Sequence, residues 1–347
     1  MPTANDKLKV CFVINSLVGG GAERVVLTLA DELHKEGCYV CLIVLEDTPP
    51  AYEISQYQFE IRFLKRIPRP IGFIYPLKSL QVMRFLREFD VKFDMYISNL
   101  LMSDFAMRLL NLPNKYSVIH NNLVASTSLE MSTRLTWISM LKRSLIYRLL
   151  ARVVYDRQHL IAISEGVKKG IESYGIKAAS ITIINNPFDF DIINKSSNEY
   201  NVEEKNYIVT VGRFDRQKRQ DIALSAFAKS GISGKIMFIG DHNNSYGSYV
   251  KGLAVELGMS DRVVFCGFVK NPYPFMKHAK ALILSSDFEG LPTVLIEALY
   301  LGTPVASTDC DFGPREIMIE PLDCYLSETG NSSDLAAKIV AAVNSKE

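Results

Sequence analysis

Two glutamates, Glu289 and Glu297, bracket the run Glu289-Gly290-Leu291-Pro292-Thr293-Val294-Leu295-Ile296-Glu297. A buried strand is expected just before them. Pro292 suits the first position of a helix, where its preset φ helps and its missing N–H is not needed. The backbone N–H groups around Leu291 to Val294 then have no intrahelical acceptor. Glu289 falls in the loop before that helix and Glu297 within its second turn, so both carboxylates can face one cleft with a positive helix end between them. Paired acids of this kind act as general acid and base, or accept hydrogen bonds from sugar hydroxyls. The spacing leaves both readings open.

A second constellation is Val209-Thr210-Val211-Gly212-Arg213, a strand end, with Lys218 five residues after the arginine. Two cations at the carboxyl edge of a parallel sheet lie where such sheets bind ligands. Together they can neutralise a diphosphate, Arg213 by its planar fork and Lys218 as a point charge. A third is Gly19-Gly20-Gly21 between a strand and a helix. Glycines there let an anion approach the helix N-terminus closely. A dinucleotide fingerprint would need a further glycine where this chain has Arg24, although Glu46 or Asp47 stands where a ribose-binding acid would follow the second strand.

These residues need a scaffold that brings strand ends together, and the hydropathy pattern supplies one. Strand-like and helix-like runs alternate along the chain, the mark of α/β architecture with parallel sheets. Strands are expected at Val10–Ile14, Val40–Leu45, Phe59–Leu64, Met95–Ser98, Ser117–Ile119, Leu160–Ile163 and Ile181–Ile184. A second series is expected at Tyr207–Val211, Lys235–Ile239, Arg262–Phe265, Ala281–Leu284 and Thr303–Ala306. Between the series, Asn194–Asn206 is polar and aperiodic. The pattern predicts two Rossmann-like, doubly wound domains facing across a cleft, residues 1–187 and 207–347, with 188–206 connecting them.

Composition agrees with that picture. The chain has 347 residues, 48% hydrophobic and 22% charged, with a net charge of +1. That is too apolar and too neutral for disorder, and ordinary Gly and Pro content excludes a collagen-like chain. Six cysteines are too sparse for a disulfide scaffold. The lone pair Cys38 and Cys41 lacks the second half of a zinc site and reads as buried thiols in a reducing cytosol. No secretory leader and no membrane-spanning run are expected. Charge is uneven: residues 1–180 hold 23 Lys/Arg against 17 Asp/Glu, the remainder 16 against 21. The first half therefore carries a basic face, without the character of a duplex-binding protein.

In order and spacing, these elements resemble the retaining glycosyltransferases of family 4, which have the GT-B fold. The resemblance runs from Gly20-Gly21-Ala22-Glu23-Arg24 through Ile163-Ser164-Glu165-Gly166-Val167 and Asn186-Pro187 to Gly313-Pro314-Arg315-Glu316-Ile317. The Glu289–Glu297 element is its most specific part, followed by Gly212-Arg213 with Lys218. It implies a metal-independent transfer of a hexose or N-acetylhexosamine from a nucleotide-diphosphate sugar, a UDP-sugar, with no cofactor. In the family the positions matching Arg213 and Lys218 hold the donor diphosphate, and that matching Glu297 binds the ribose. The position matching Glu289 lies by the transferred sugar, and the backbone matching Gly290, Leu291 and Thr293 contacts sugar and phosphate. The Gly20–Gly21 turn approaches the diphosphate from the other domain. Cys266-Gly267-Phe268-Val269 matches the loop whose backbone reads the base. His120, ending a first-domain strand, matches a position beside the sugar's C6 hydroxyl. Glu289 is not assigned as a nucleophile, because a phosphate oxygen is the implied base.

Two D-x-D runs, Asp189-Phe190-Asp191 and Asp309-Cys310-Asp311, are read as coincidence in a chain with 18 aspartates. Arg134–Arg152 mixes apolar residues and the one Trp with five cations, which suits an anionic membrane surface as well as a core helix with a basic edge. Arg62–Arg69 is a candidate for the same surface or for an acceptor pyrophosphate. The implied acceptor is a glycan or lipid-linked glycan, and the implied location is the cytoplasm, peripheral on the inner face of the cytoplasmic membrane. Family members continue past the helix matched by Asp334–Asn344, and the resemblance does not extend to that closing segment. A nucleotide-sugar epimerase, a phosphorylase or an inactive glycan-binding relative are the competing readings. No motif marks the lysine that a phosphorylase needs for pyridoxal phosphate.

Overall fold

The computed structural model describes residues 7–65, 74–88, 92–121 and 148–345. Most of the expected basic segments Arg134–Arg152 and Arg62–Arg69 lie outside the described residues. Among the described residues the chain divides into two compact units, one built from residues up to 121 together with 148–188, the other from residues 189–345.

The first unit has a seven-stranded sheet in the order β3-β2-β1-β4-β5-β6-β7. Its strands are β1 (Lys9–Ile14), β2 (Tyr39–Val44), β3 (Glu60–Phe63), β4 (Met95–Asn99), β5 (Lys115–Ile119), β6 (His159–Ala162) and β7 (Ser180–Ile183). Every pairing is parallel. The near-continuous apolar runs of β1 and β2 follow from burial on both faces. Val10, Phe12 and Ile14 pack with Val40, Leu42 and Val44 on one face. Cys11 and Val13 pack with Cys41, Ile43 and Leu45 on the other. Cys41 lies opposite Cys11 on the neighbouring strand. Cys38 is only half-buried and sits in the turn after the helix Gly21–Lys35, its N–H bonded to Leu33. The expected pair is thus one core thiol and one turn residue.

The second unit has a six-stranded parallel sheet in the order β10-β9-β8-β11-β12-β13. It comprises β8 (Tyr207–Val211), β9 (Lys235–Ile239), β10 (Val263–Gly267), β11 (Leu282–Leu284), β12 (Val305–Thr308) and the short β13 (Leu326–Ser327). Helices Gln220–Ser230 and Ser332–Asn344 cover one face, where Leu224, Phe227, Leu335 and Ile339 close over Ile208, Ile236 and Ile283. In both sheets the strand order reverses beside the first strand, between β1 and β4 and between β8 and β11. Chain leaving adjacent strands in opposite directions opens a crevice there.

The expected connection 188–206 is partly structured. Phe190–Ser196 is a helix capped by Asp189, whose Oδ1 accepts the Ile192 N–H at 2.8 Å. It belongs to the second unit: Phe190 stacks on Tyr300 with ring centroids 4.5 Å apart, and Asn271 Nδ2 donates to Ser196 O at 2.8 Å. A helix of seven residues is too short to show in hydropathy periodicity.

Candidate active site at the carboxyl edges of the sheets

In the second unit the loop after β8 and the loop after β11 are stitched together across the strand-order reversal. Gln217 Nε2 donates to Phe288 O at 2.9 Å, and Asp287 N–H returns a bond to Gln217 O at 2.8 Å. Arg219 Nη1 lies 3.0 and 3.1 Å from the two carboxylate oxygens of Asp287, and its Nε bonds Asp221 at 3.0 Å. Those carboxylates hold the Arg219 guanidinium well above its ordinary pKa. Arg219 itself sits at φ 48°, a left-handed conformation rare for a side-chain-bearing residue. The paired forks over-determine that geometry.

This frame presents the expected cations and acids. Lys218 Nζ is 2.6 Å from Glu289 Oε1, and both side chains are largely buried. Ser286 Oγ donates to the same oxygen, also at 2.6 Å. Arg213 differs from Lys218: its side chain is 67% exposed, and among the described residues its ion pair is a long one to Asp215, at 3.5 Å, which leaves its fork able to turn to a ligand. Glu297 is buried, and Tyr273 OH donates to its Oε1 at 3.3 Å. The helix carrying Glu297 runs Thr293–Tyr300, so Pro292 is its cap residue and not its first helical residue as expected. Its ψ of 92° keeps Pro292 extended, and the helix begins one residue later.

Three strand ends lie side by side here. Gly212 N–H donates to Ile239 O at 2.9 Å, and Gly240 N–H donates to Gly267 O at 2.8 Å. A Cβ on Gly240 would fall 1.9 Å from Gly212 O, so only glycine fits. Through this contact the loop holding Phe268 and Val269 joins the Arg213 loop, with Phe268 exposed. The second unit thus gathers Arg213, Lys218, Phe268, Val269, Glu289, Gly290, Leu291, Thr293 and Glu297 at one sheet edge. Sequence reasoning missed Gln217, Arg219, Ser285, Ser286 and Tyr273, and gave no role to Asp287 at the head of the Glu289–Glu297 motif. Their signal was proximity to the named motifs, but a polar side chain gives no hint of its partner until the fold is known.

Gly20, Gly21 and His120 belong to the first unit, at the corresponding edge of its sheet. Gly20 caps the helix Gly21–Lys35 in an extended conformation, φ −153°. A Cβ added to Gly21 would meet nothing within 4 Å, so local packing does not demand a glycine there. The expectation that this turn offers its N–H groups to an anion needs correction. Glu23 Oε2 already accepts the Gly19 N–H at 2.6 Å, and Tyr52 OH accepts the Gly20 N–H at 2.9 Å while donating to Gly20 O at 2.7 Å. The turn is therefore braced from within, and what remains for an anion starts at the helix's own first turn. His120 Nε2 is 2.9 Å from Asn99 Oδ1, and burial pulls the imidazole pKa down to about 4. It is neutral at pH 7, with Nε2–H donating to Asn99 and Nδ1 kept as an acceptor.

Both D-x-D runs have other partners. Asp189 caps its helix, and Asp309 is forked by Arg315, with Nε at 3.0 Å. Among the described residues no group of three or more His, Cys, Asp or Glu could hold a metal ion.

Residues 19–192 match the family described as Glycosyltransferase Family 4, and residues 191–347 match Glycosyl transferases group 1. The chain is 27% identical, over 94% of its length and 88% of the relative's, to N-acetylgalactosamine-N,N'-diacetylbacillosaminyl-diphospho-undecaprenol 4-alpha-N-acetylgalactosaminyltransferase of Campylobacter jejuni. It is 30% identical to the lipopolysaccharide 1,6-galactosyltransferase of Salmonella typhimurium, over 54% of this chain and 52% of that one. Among solved structures, Anabaena HepE in complex with UDP-glucose superposes with a TM-score of 0.76 at 19% identity, covering 98% of this chain and 90% of that chain. At that identity the likeness speaks for the two-domain fold.

Proposed function

The chain belongs to glycosyltransferase family 4, and from that premise we propose that it moves a hexose or N-acetylhexosamine from a UDP-sugar to a lipid-linked or lipopolysaccharide-type glycan, with retention and without a metal. The observation that carries this reading is the second unit's edge, where Arg213 and Lys218 stand on the loop after β8 and Glu289 and Glu297 on the segment after β11.

Cleaving the anomeric C–O bond develops negative charge on the departing diphosphate and positive charge on the sugar. Arg213 and Lys218 meet the first, which is electrostatic stabilisation by groups already in place. Two cations supply the charge that a divalent ion would bring, so no metal is required. Glu297, buried under Tyr273, is assigned to the ribose hydroxyls, and Glu289 to the transferred sugar. The Phe268–Val269 backbone is assigned to the base. In the first unit, Gly21, the first residue of the helix Gly21–Lys35, is assigned to the diphosphate and neutral His120, through Nδ1, to a sugar hydroxyl. The names of the relatives support a lipid-linked or lipopolysaccharide acceptor. An inner-face membrane location is supported by residues 148–155, a helical stretch whose Leu149, Leu150 and Val153 are exposed alongside the cations Arg148 and Arg152. Among the described residues no helix is long and apolar enough to cross a membrane.

A thermal-shift panel of UDP, GDP, ADP and their sugars, with and without EDTA, tests the reading. A ligand bound only by the native state raises Tm. A shift confined to the UDP series and indifferent to EDTA is expected. No shift with any nucleotide sinks the donor assignment, and a shift abolished by EDTA sinks metal independence.

A further inference from the structure

Glu289 carries two bonds on one oxygen. Lys218 Nζ and Ser286 Oγ both approach Oε1 at 2.6 Å, and among the described residues neither bond uses Oε2. The two donors differ in what they can do when a ligand arrives. Lys218 is a long cation with three N–H groups, still 20% exposed. A diphosphate beside it competes for those donors, since charge-assisted bonds to phosphate are strong. Ser286 is neutral, fully buried and fixed. It follows β11, and its carbonyl accepts a bond from Thr308 Oγ1 at 2.6 Å, which ties it to β12. Ser285 beside it reaches the carbonyl oxygens of Lys218 and Arg219, each at 2.8 Å.

We propose that Ser286 is the positioning residue of the donor-sugar contact. Its hydroxyl holds Oε1 of Glu289 while Lys218 turns to the diphosphate, and so keeps Oε2 for a sugar hydroxyl. The terminal torsion of a glutamate is broad and two-fold, so a carboxylate released by its lysine would turn without a second anchor. This inference rests on the donor-binding reading above, with Glu289 at the sugar.

The experiment compares the affinities of UDP with those of UDP-glucose, UDP-galactose and their N-acetyl forms, by calorimetry, in the wild-type protein and in Ser286→Ala. The wild-type protein should bind one of these sugars more tightly than UDP, and that increment measures the sugar contact. Ser286→Ala is expected to leave UDP affinity within twofold while cutting the increment about tenfold, the scale of one bond to a charged group. Equal weakening of UDP and UDP-sugar would make Ser286 merely structural and overturn the proposal. An unchanged increment would overturn it too, leaving the donor reading intact. A wild-type protein that binds UDP but gains nothing from any sugar removes Glu289 from the sugar, and one that binds no nucleotide removes the donor reading itself; this inference falls in either case.

Discussion

Arg213 and Lys218 share a motif but not an environment, and their removal should have separable effects. Arg213 is exposed and its contact with Asp215 is long, a kind of surface pair that contributes little to stability. Lys218 compensates a largely buried carboxylate, and deleting one member of such a pair leaves an unpaired charge. We expect Arg213→Ala and Lys218→Ala each to lower turnover by about 100-fold, as loss of a charge-stabilising donor does. Only Lys218→Ala should also lower Tm. Equal Tm losses in the two variants would contradict the burial argument. A second residue-scale prediction concerns Asp104, buried under Ser98 Oγ at 2.6 Å and Tyr155 OH at 2.8 Å. Burial pushes its carboxyl up to about 7 from an ordinary 3.8. The unfolded chain therefore releases this proton near pH 4 and the native state only near pH 7, so stability falls as pH rises across that window. His120 acts in the opposite sense. Its native pKa of about 4 lies below its ordinary 6.5, so stability is lost as pH falls from about 6.5 to 4. Urea midpoints measured from pH 4 to 7 should rise more steeply with pH in Asp104→Asn than in the wild-type protein. Superimposed profiles would show that Asp104 ionises normally.

At the scale of elements, the glycines separate packing from propensity. A side chain at Gly240 would strike Gly212 O, so Gly240→Ala must part β8 from β9 at the strand ends that carry Arg213. Gly252 lies in the helix Ser245–Glu256, exposed, and an added Cβ there meets nothing within 4 Å. Gly252→Ala should gain about 1 kcal/mol from helix propensity alone. Opposite Tm shifts in these two variants are expected, and UDP affinity should fall only in Gly240→Ala. A rise in Tm for Gly240→Ala would mean the strand ends are looser than the geometry states. Much of this level was legible beforehand. All twelve expected strands form, within two residues of their expected ends: central strands such as β1 and β2, buried on both faces, carry dense apolar runs, and the edge strands β3 and β7 alternate apolar with polar residues. β13 escaped, since two residues carry no periodicity. The helix Phe190–Ser196 escaped for the same reason, and its attachment to the second unit depends on Tyr300 and Asn271, far along the chain.

For the whole molecule, the uneven charge is the property with an external consequence. If the basic first half docks on an anionic surface, the protein should sediment with phosphatidylglycerol vesicles, not with phosphatidylcholine, and the binding should weaken as salt shortens the Debye length. Leu149→Asp should reduce it at constant salt by placing a carboxylate on the exposed apolar face. Binding indifferent to lipid charge and to salt would argue against that face.

The sequence by itself determined the α/β class, the two series of strands and the residue types of the donor motifs, because local patterning and short spacings encode them. Tertiary structure alone decided which strands adjoin. The orders β3-β2-β1-β4 and β10-β9-β8-β11 put the reversal where the loops after β8 and β11 meet. That adjacency turned Lys218 and Glu289 from separate motifs into an ion pair. It also recruited Gln217, Arg219, Ser286 and Asp287, and showed the Gly20 turn to be braced by Glu23 and Tyr52. The physical reason is range: propensity acts over a few residues, whereas a buried polar group takes whatever partner the fold brings within about 3 Å.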